Sequence, residues 1–465
     1  MKIFKDKKRK YIIITGLVST FVVAVLIIAY YNSIPKEEPL IGAYINGTYS
    51  ETLPSKGSGY VVEKIVCDNN KNASWDYNKW GIKLSNWGTR SRCNIYFKSL
   101  ESVTVANKTF YLDEMQRCLT MNSDGTVTVT EAEDTYGYLC KAKDAYGDSY
   151  YYRGNVTNNY VKFGKWSKDA PDVVIGFYSA TSTSYKEYST VKECQSASSY
   201  NVNCTVISKA NKEMYWRIIR INGDNTIRVI YDGTSAHANW ESSSDRQIGI
   251  SAFNSSDNDN AYVGYMYGAT GASTYSSTHA NTNNSIIKTY LDTWYENNIK
   301  GTTNEQYIAD NIFCNDRSFA PNNSGTGVGT SETYYRWLHF ADNSNNNNMM
   351  LTCPQKNDAF TVSDTTKGNG ALTYGVGLVT ADEIVLAGGW DSSNSNYYLY
   401  SGMDYWTMSP YYFNGSNAVE RNVISYGGAY GYDNVQISNG IRPVLNLSSE
   451  ILKNGNGTVS NPYHA

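Results

Sequence analysis

The sequence predicts an α+β molecule in which an N-terminal transmembrane helix precedes a small β-sandwich-like domain and then a larger β-rich domain carrying two short helices. Three observations predict it: an uncharged apolar stretch behind a basic tail, repeated short runs of Val, Ile and aromatic residues split by Asn, Gly and Ser, and only two segments of helical period.

The tail MKIFKDKKRK sets Lys2, Lys5, Lys7, Lys8, Arg9 and Lys10 against the single acid Asp6, and residues 11–31 that follow hold no charge. A helix of about twenty apolar residues spans a hydrocarbon core of roughly 30 Å, and the basic flank stays on the cytoplasmic side. The stretch exits through Ala29, Tyr30, Tyr31 and Asn32 rather than through the small residues of a signal-peptide cleavage site. The expectation is therefore a cell-membrane protein of single-pass, type II topology: tail 1–10, signal-anchor 11–31, and an extracellular C-terminal region. Pro35 and Pro39 make 32–45 a stalk, which leaves 46–157 as a β-rich membrane-proximal region and 158–465 as the distal domain.

The formal charge of the whole chain is −3, and without the basic tail the remainder is more acidic still. Nucleic acid is excluded as an expected partner, because phosphate binding needs clustered Lys and Arg. All eight cysteines lie beyond the apolar stretch, an arrangement that in an oxidising compartment reads as disulfides. Their clustering pairs neighbours: Cys67 with Cys93, Cys118 with Cys140, Cys194 with Cys204, and Cys314 with Cys353.

In the first β region, GYVVEKIVC, GIKLSN and RCNIYFK read as short strands, and turns follow at Asp124-Gly125 and around Gly147. The distal domain opens near 158–167 and contains the hairpin YWRIIRI, NGDN, TIRVIYD. Ile218, Val229 and Ile230 face its core, and Arg217, Arg220 and Arg228 are expected on a solvated opposite face. One helix covers 285–299, where Ile286, Tyr290 and Trp294 recur every four residues with Ile287 and Leu291 beside them. The other covers 380–389, where Thr380 and Glu383 form a capping box and Gly388 ends the helix.

Catalytic chemistry has little to build on. The imidazoles are His237, His279, His339 and His464, and none sits in a nucleophile or metal motif. Asp257 and Asp259 begin a calcium-loop spacing, but Ala261 stands where the next ligand belongs, so calcium is only a partial match and no cofactor is expected. Tyrosine is the abundant resource, 42 residues among many Asn, Ser and Gly, the mixture of recognition loops. The expected function is adhesion: binding of a glycan or protein ligand at the cell surface through Trp390, Tyr397, Tyr398, Tyr400, Tyr411 and Tyr412. The alternatives are a cell-envelope enzyme, which requires a pocket holding a histidine or a carboxylate pair of perturbed pKa, and a passive envelope component with a flat surface.

YWTMSP at 405–410, GIRPVLNL at 440–447 and the terminal GTVSNPY together resemble a family of membrane-anchored extracellular proteins from Gram-positive and related bacteria, in which a basic tail and single span lead into Tyr- and Asn-rich β domains. More distantly, the order W-T-x-S then G-x-R is similar to the end of C-type-lectin-like folds, the group that includes formylglycine-generating enzymes and phage receptor-binding proteins. That resemblance implies a lectin-like domain over 158–465, with Trp406 and Arg442 as structural residues closing the fold and the loops above as the reading surface. The enzyme branch relies on a pair of cysteines near the C-terminal core, whereas here the last cysteine is Cys353, so the oxidoreductase activity does not carry over.

Overall fold

The computed structural model describes residues 40–465, apart from 69–71, 86–91, 178–184, 198–202, 322–324, 340–346, 391–392 and 429–430. It divides into two compact units, one ending at Leu100 and the other beginning at Glu101. Strand structure dominates, which corrects the α+β expectation: the described α-helices are Val191–Ser196, Tyr275–Thr278, Ile286–Asn298 and Ala381–Ala387, two of them barely more than a turn. The physical reason is the frequency of turn residues, which leaves few windows long enough to sustain a 3.6-residue period. No described helix is long and apolar enough to cross a membrane. The stretch 11–31, expected to form the transmembrane helix, lies outside the described residues.

In the first unit Leu40–Ile45, assigned above to the stalk, is a strand. It pairs antiparallel with Thr48–Ser50 across the turn Asn46-Gly47, both residues at positive φ, the left-handed geometry a two-residue hairpin demands. Its other edge runs parallel to Arg92–Phe97, and Arg92–Ser99 also pairs antiparallel with Tyr60–Cys67. One mixed four-stranded sheet therefore replaces the expected sandwich. A hairpin of Ala73–Asp76 and Gly81–Leu84 covers it, with Trp75 edge-on to Phe97 at 5.4 Å. Cys67 and Cys93 face each other in register and are bridged.

The second unit contains a seven-stranded sheet centred on the hairpin Glu213–Ile221 and Ile227–Gly233. Tyr138–Asp144 and Gly147–Arg153 extend it on one side, and Val444–Leu447, which contains the end of GIRPVLNL, joins on the other. Residues 101–157 thus belong with the larger unit. A six-stranded sheet is built around Tyr405–Phe413 and Ala418–Val423, and a three-stranded sheet joins Val173–Phe177 to Tyr185–Tyr188 and Asn203–Ile207. The remaining bridges are Cys118–Cys140, Cys194–Cys204 and Cys314–Cys353, so all four join sequence neighbours. Such a set belongs to an extracellular or secreted setting.

Arg217, Arg220 and Arg228 are buried rather than solvated, because both faces of the central hairpin are covered. Arg220 donates to Asp144 at 2.7 Å and to Glu383 at 3.1 Å, and Arg228 donates to the other Glu383 oxygen at 3.3 Å. The same carboxylate accepts the Thr380 N–H at 3.0 Å while the Thr380 hydroxyl accepts the Glu383 N–H, completing the capping box of Ala381–Ala387. Burial works against ionisation of Glu383, but Arg228 and Arg220 outweigh it and hold the carboxyl below its usual range.

Substituting Glu383→Gln leaves the buried Arg228 without its anion and Arg220 with Asp144 alone, and urea titration near neutral pH is expected to show a loss of ~3–5 kcal/mol for the larger unit. A carboxyl whose pKa is lowered by folding stabilises while ionised and ceases to do so as pH falls through that pKa. The native protein's acid-side loss of stability is accordingly expected to contain a component that the variant lacks.

Candidate functional site

Helix Ile286–Asn298 begins at Ser285, whose hydroxyl accepts the Lys288 N–H at 3.2 Å, and its sides have different fates. Ile287, Leu291, Trp294 and Tyr295 enter the core. Ile286, Thr289, Tyr290, Thr293 and Asn297 instead line a groove of about 770 Å³, with Trp294 at its inner margin. The apolar stripe read from the sequence is thus divided between packing and an open cleft.

The facing wall is the segment 166–173, fixed to the helix where the Ser167 N–H donates to Asn298 Oδ1 at 2.9 Å. Trp166 stands behind it in an aromatic cluster, 6.0 Å from Tyr231 and 6.3 Å from Trp294, and its indole N–H donates to the Tyr231 hydroxyl at 3.1 Å. The floor carries two ionisable groups from different elements: Glu187 on the strand Tyr185–Tyr188 and Lys209 on the turn leading into Glu213–Ile221.

Lys209 is only 1% exposed. Its ammonium donates to the Ile248 carbonyl and lies 4.6 Å from the centre of the Trp166 ring. Burial pushes its pKa down to about 7, against the pull of Glu187 and Asp245. Glu187 accepts the Ile250 N–H at 2.8 Å and the Tyr290 hydroxyl; burial raises its pKa above the ordinary carboxylate value. Gly249 leaves room for that pair, since a Cβ there would stand 1.9 Å from the Tyr290 hydroxyl. The groove therefore combines aromatic walls, side-chain amides and hydroxyls, and one amine that ionises near neutrality.

The residues singled out from the sequence are placed differently. Tyr397 and Tyr398 are fully buried, which removes them from any reading surface: their segment threads the interior, where Tyr398 packs 5.5 Å from the Arg217 guanidinium. Trp390 and Tyr400 are half-buried. Tyr411 and Tyr412 are half-buried as well, and with the exposed Tyr432 they form a ledge, Tyr411 lying 4.6 Å from each of the other two rings and 3.9 Å above the Arg421 guanidinium. Trp406 is buried and donates to the Ser251 carbonyl at 2.8 Å. Arg442 is buried and donates to the carbonyls of Tyr231 and Leu399 and to Asp232.

The histidines with described side chains do not line the groove. His237 is clamped between Glu241 and Asp245, which overcome burial and raise its pKa. His279 is buried against Arg317, and burial together with that positive charge pushes it well below its usual value. Asp259 caps the turn Asn260–Val263 and accepts the Gly271 N–H, while Asp257 accepts from Asn434. Among the described residues no group of His, Cys, Asp and Glu side chains is arranged to hold a metal ion.

A lysine whose pKa is lowered by folding binds fewer protons in the native state than when unfolded. Stability is therefore expected to rise as pH increases from about 7 towards about 10, with a limiting slope of ~1.4 kcal/mol per pH unit. Denaturation across that range checks it, and Lys209→Met is expected to reduce the slope, leaving the smaller part that the buried Lys288 contributes. No family model, curated protein or solved structure matches this chain.

Proposed function

We propose that this is an extracellular binding protein, displayed at the cell surface, that recognises a glycan in the groove between residues 166–173 and helix Ile286–Asn298. The carrying observation is the composition of that groove: two indoles and a phenol beside Asn284, Asn297, Thr289 and Thr293, within about 770 Å³. Aromatic faces and edges suit the C–H faces of sugar rings, and the amides and hydroxyls suit their hydroxyl groups. The four disulfides supply the exterior setting. The finer placement, a single-pass type II attachment, rests on the hydropathy of residues 11–31 and the basic tail before them.

A second recognition surface, for a protein ligand, is favoured by the ledge of Tyr411, Tyr412 and Tyr432, because clustered tyrosines offer rigid amphipathic area at low entropic cost. Glycan arrays probed with the full chain separate the two. Thr293→Trp, which fills the groove from its exposed side, is expected to abolish glycan binding without changing the melting temperature, and Tyr411→Ala is expected to leave it intact. The opposite pattern would move recognition to the ledge.

A further inference from the structure

Building on the glycan reading of the groove, we infer that its preferred ligand is an acidic sugar, whose carboxylate becomes the counter-ion of Lys209. The inference starts from what surrounds that amine. An ammonium has three hydrogens to donate, and the described partners of Lys209 are one backbone carbonyl, that of Ile248, and the face of Trp166. Among the described residues no carboxylate stands within ion-pair distance of it. A buried charge in that condition is costly, and a ligand anion entering the groove removes the cost by pairing with it.

The other ionisable groups around Lys209 leave that role open. From the strand Tyr185–Tyr188, Glu187 attracts Lys209 from beyond ion-pair distance but is engaged by the Ile250 N–H and, from the helix, by the Tyr290 hydroxyl. From the turn Ser244–Arg246, Asp245 acts on Lys209 only at range and is hydrogen-bonded to His237 and Thr234. On the facing wall, Asp169 is paired with Lys168 at 2.7 Å, and Asp172 sits on the exposed rim. The amine on the floor is thus the cationic group that a bound carboxylate meets.

Ionisation of Lys209 near neutrality makes the preference dependent on pH. The free groove holds a mixture of amine and ammonium at about pH 7, and carboxylate binding draws the mixture to ammonium by taking from solvent the fraction of a proton that the free amine lacks, an uptake that grows as pH rises above about 7. Affinity for an acidic sugar is therefore expected to decline as pH rises above about 7, by up to tenfold per unit, while affinity for a neutral sugar stays level.

Matched glycosides test this with the full chain: methyl glucuronide, galacturonide and mannuronide against the corresponding methyl glucoside, galactoside and mannoside, which carry a hydroxymethyl in place of the carboxylate. Calorimetric titration near pH 6 is expected to show at least a tenfold preference for a uronide, roughly the value of one charge-assisted contact. Near pH 8, the heat is expected to vary with the buffer's ionisation enthalpy in proportion to proton uptake. Lys209→Met is expected to abolish the preference and the proton uptake, so that the paired glycosides bind this variant alike. Equal binding of the paired glycosides, or a preference that survives Lys209→Met, overturns the inference while leaving the glycan reading in place. Failure of all six sugars to bind, with the unmodified chain also silent on the array or its array binding unaffected by Thr293→Trp, rejects the glycan reading and this inference with it.

Discussion

The larger unit is organised by the need to satisfy guanidinium groups that cannot shed their charge. Arg217, Arg228, Arg246, Arg317, Arg421 and Arg442 are all fully buried. Arginine stays protonated at any accessible pH, so each of these side chains dictates where acceptors must stand. Asp232 receives Arg246 at 2.6 Å and Arg442 at 3.1 Å, which ties the turn Ser244–Arg246 and the C-terminal GIRPV segment to the strand Ile227–Gly233. Asp358 receives Arg317 at 2.6 Å, and Glu383 joins the central hairpin to the capped helix. Segments more than two hundred residues apart are thus held in one register by a handful of charged contacts. A one-residue slip of any of these strands would aim a guanidinium at the wrong face.

The groove is a consequence of that arrangement. With the hairpin fixed, Trp216 and Tyr231 project from it and pack against Trp166 and Trp294, giving a cluster of four large rings on the side of the sheet away from Glu383. Large rings meeting edge to face set the spacing between helix Ile286–Asn298 and the wall at 166–173. That spacing leaves the exposed flank of the helix facing open volume rather than protein. Lys209 enters beneath the cluster because the turn that carries it leads directly into the strand that carries Trp216.

Local pieces of the scaffold were legible in the sequence, and the fold class and the site were not, for reasons that can be named. The capping box at Thr380 and Glu383, the hairpin at NGDN and the neighbour pairing of the cysteines are local in sequence, so local rules find them. The fate of the arginines at 217, 220 and 228 is set by partners 58 to 163 residues away along the chain; alternation alone cannot say whether a second layer covers the polar face. Tyr397 and Tyr411 illustrate the same limit, since both sit in Tyr-rich stretches and only one reaches the surface. Lys209 and Lys212 lie in the same short turn segment, one buried and one exposed, and no feature of their neighbours in sequence separates them.

The contrast between that lysine and the buried arginines is chemically consistent. A guanidinium in the interior must be given permanent partners, and here each fully buried arginine has hydrogen-bond acceptors built around it. A primary amine has another route: it can release its proton and remain buried as a neutral donor, and the depressed pKa of Lys209 is the expression of that choice. Such a group leaves its anionic partner unspecified in the folded chain. Placing it at the floor of an open groove, rather than within the sealed network around Glu383, converts a desolvation cost into selectivity for whatever anion the groove admits.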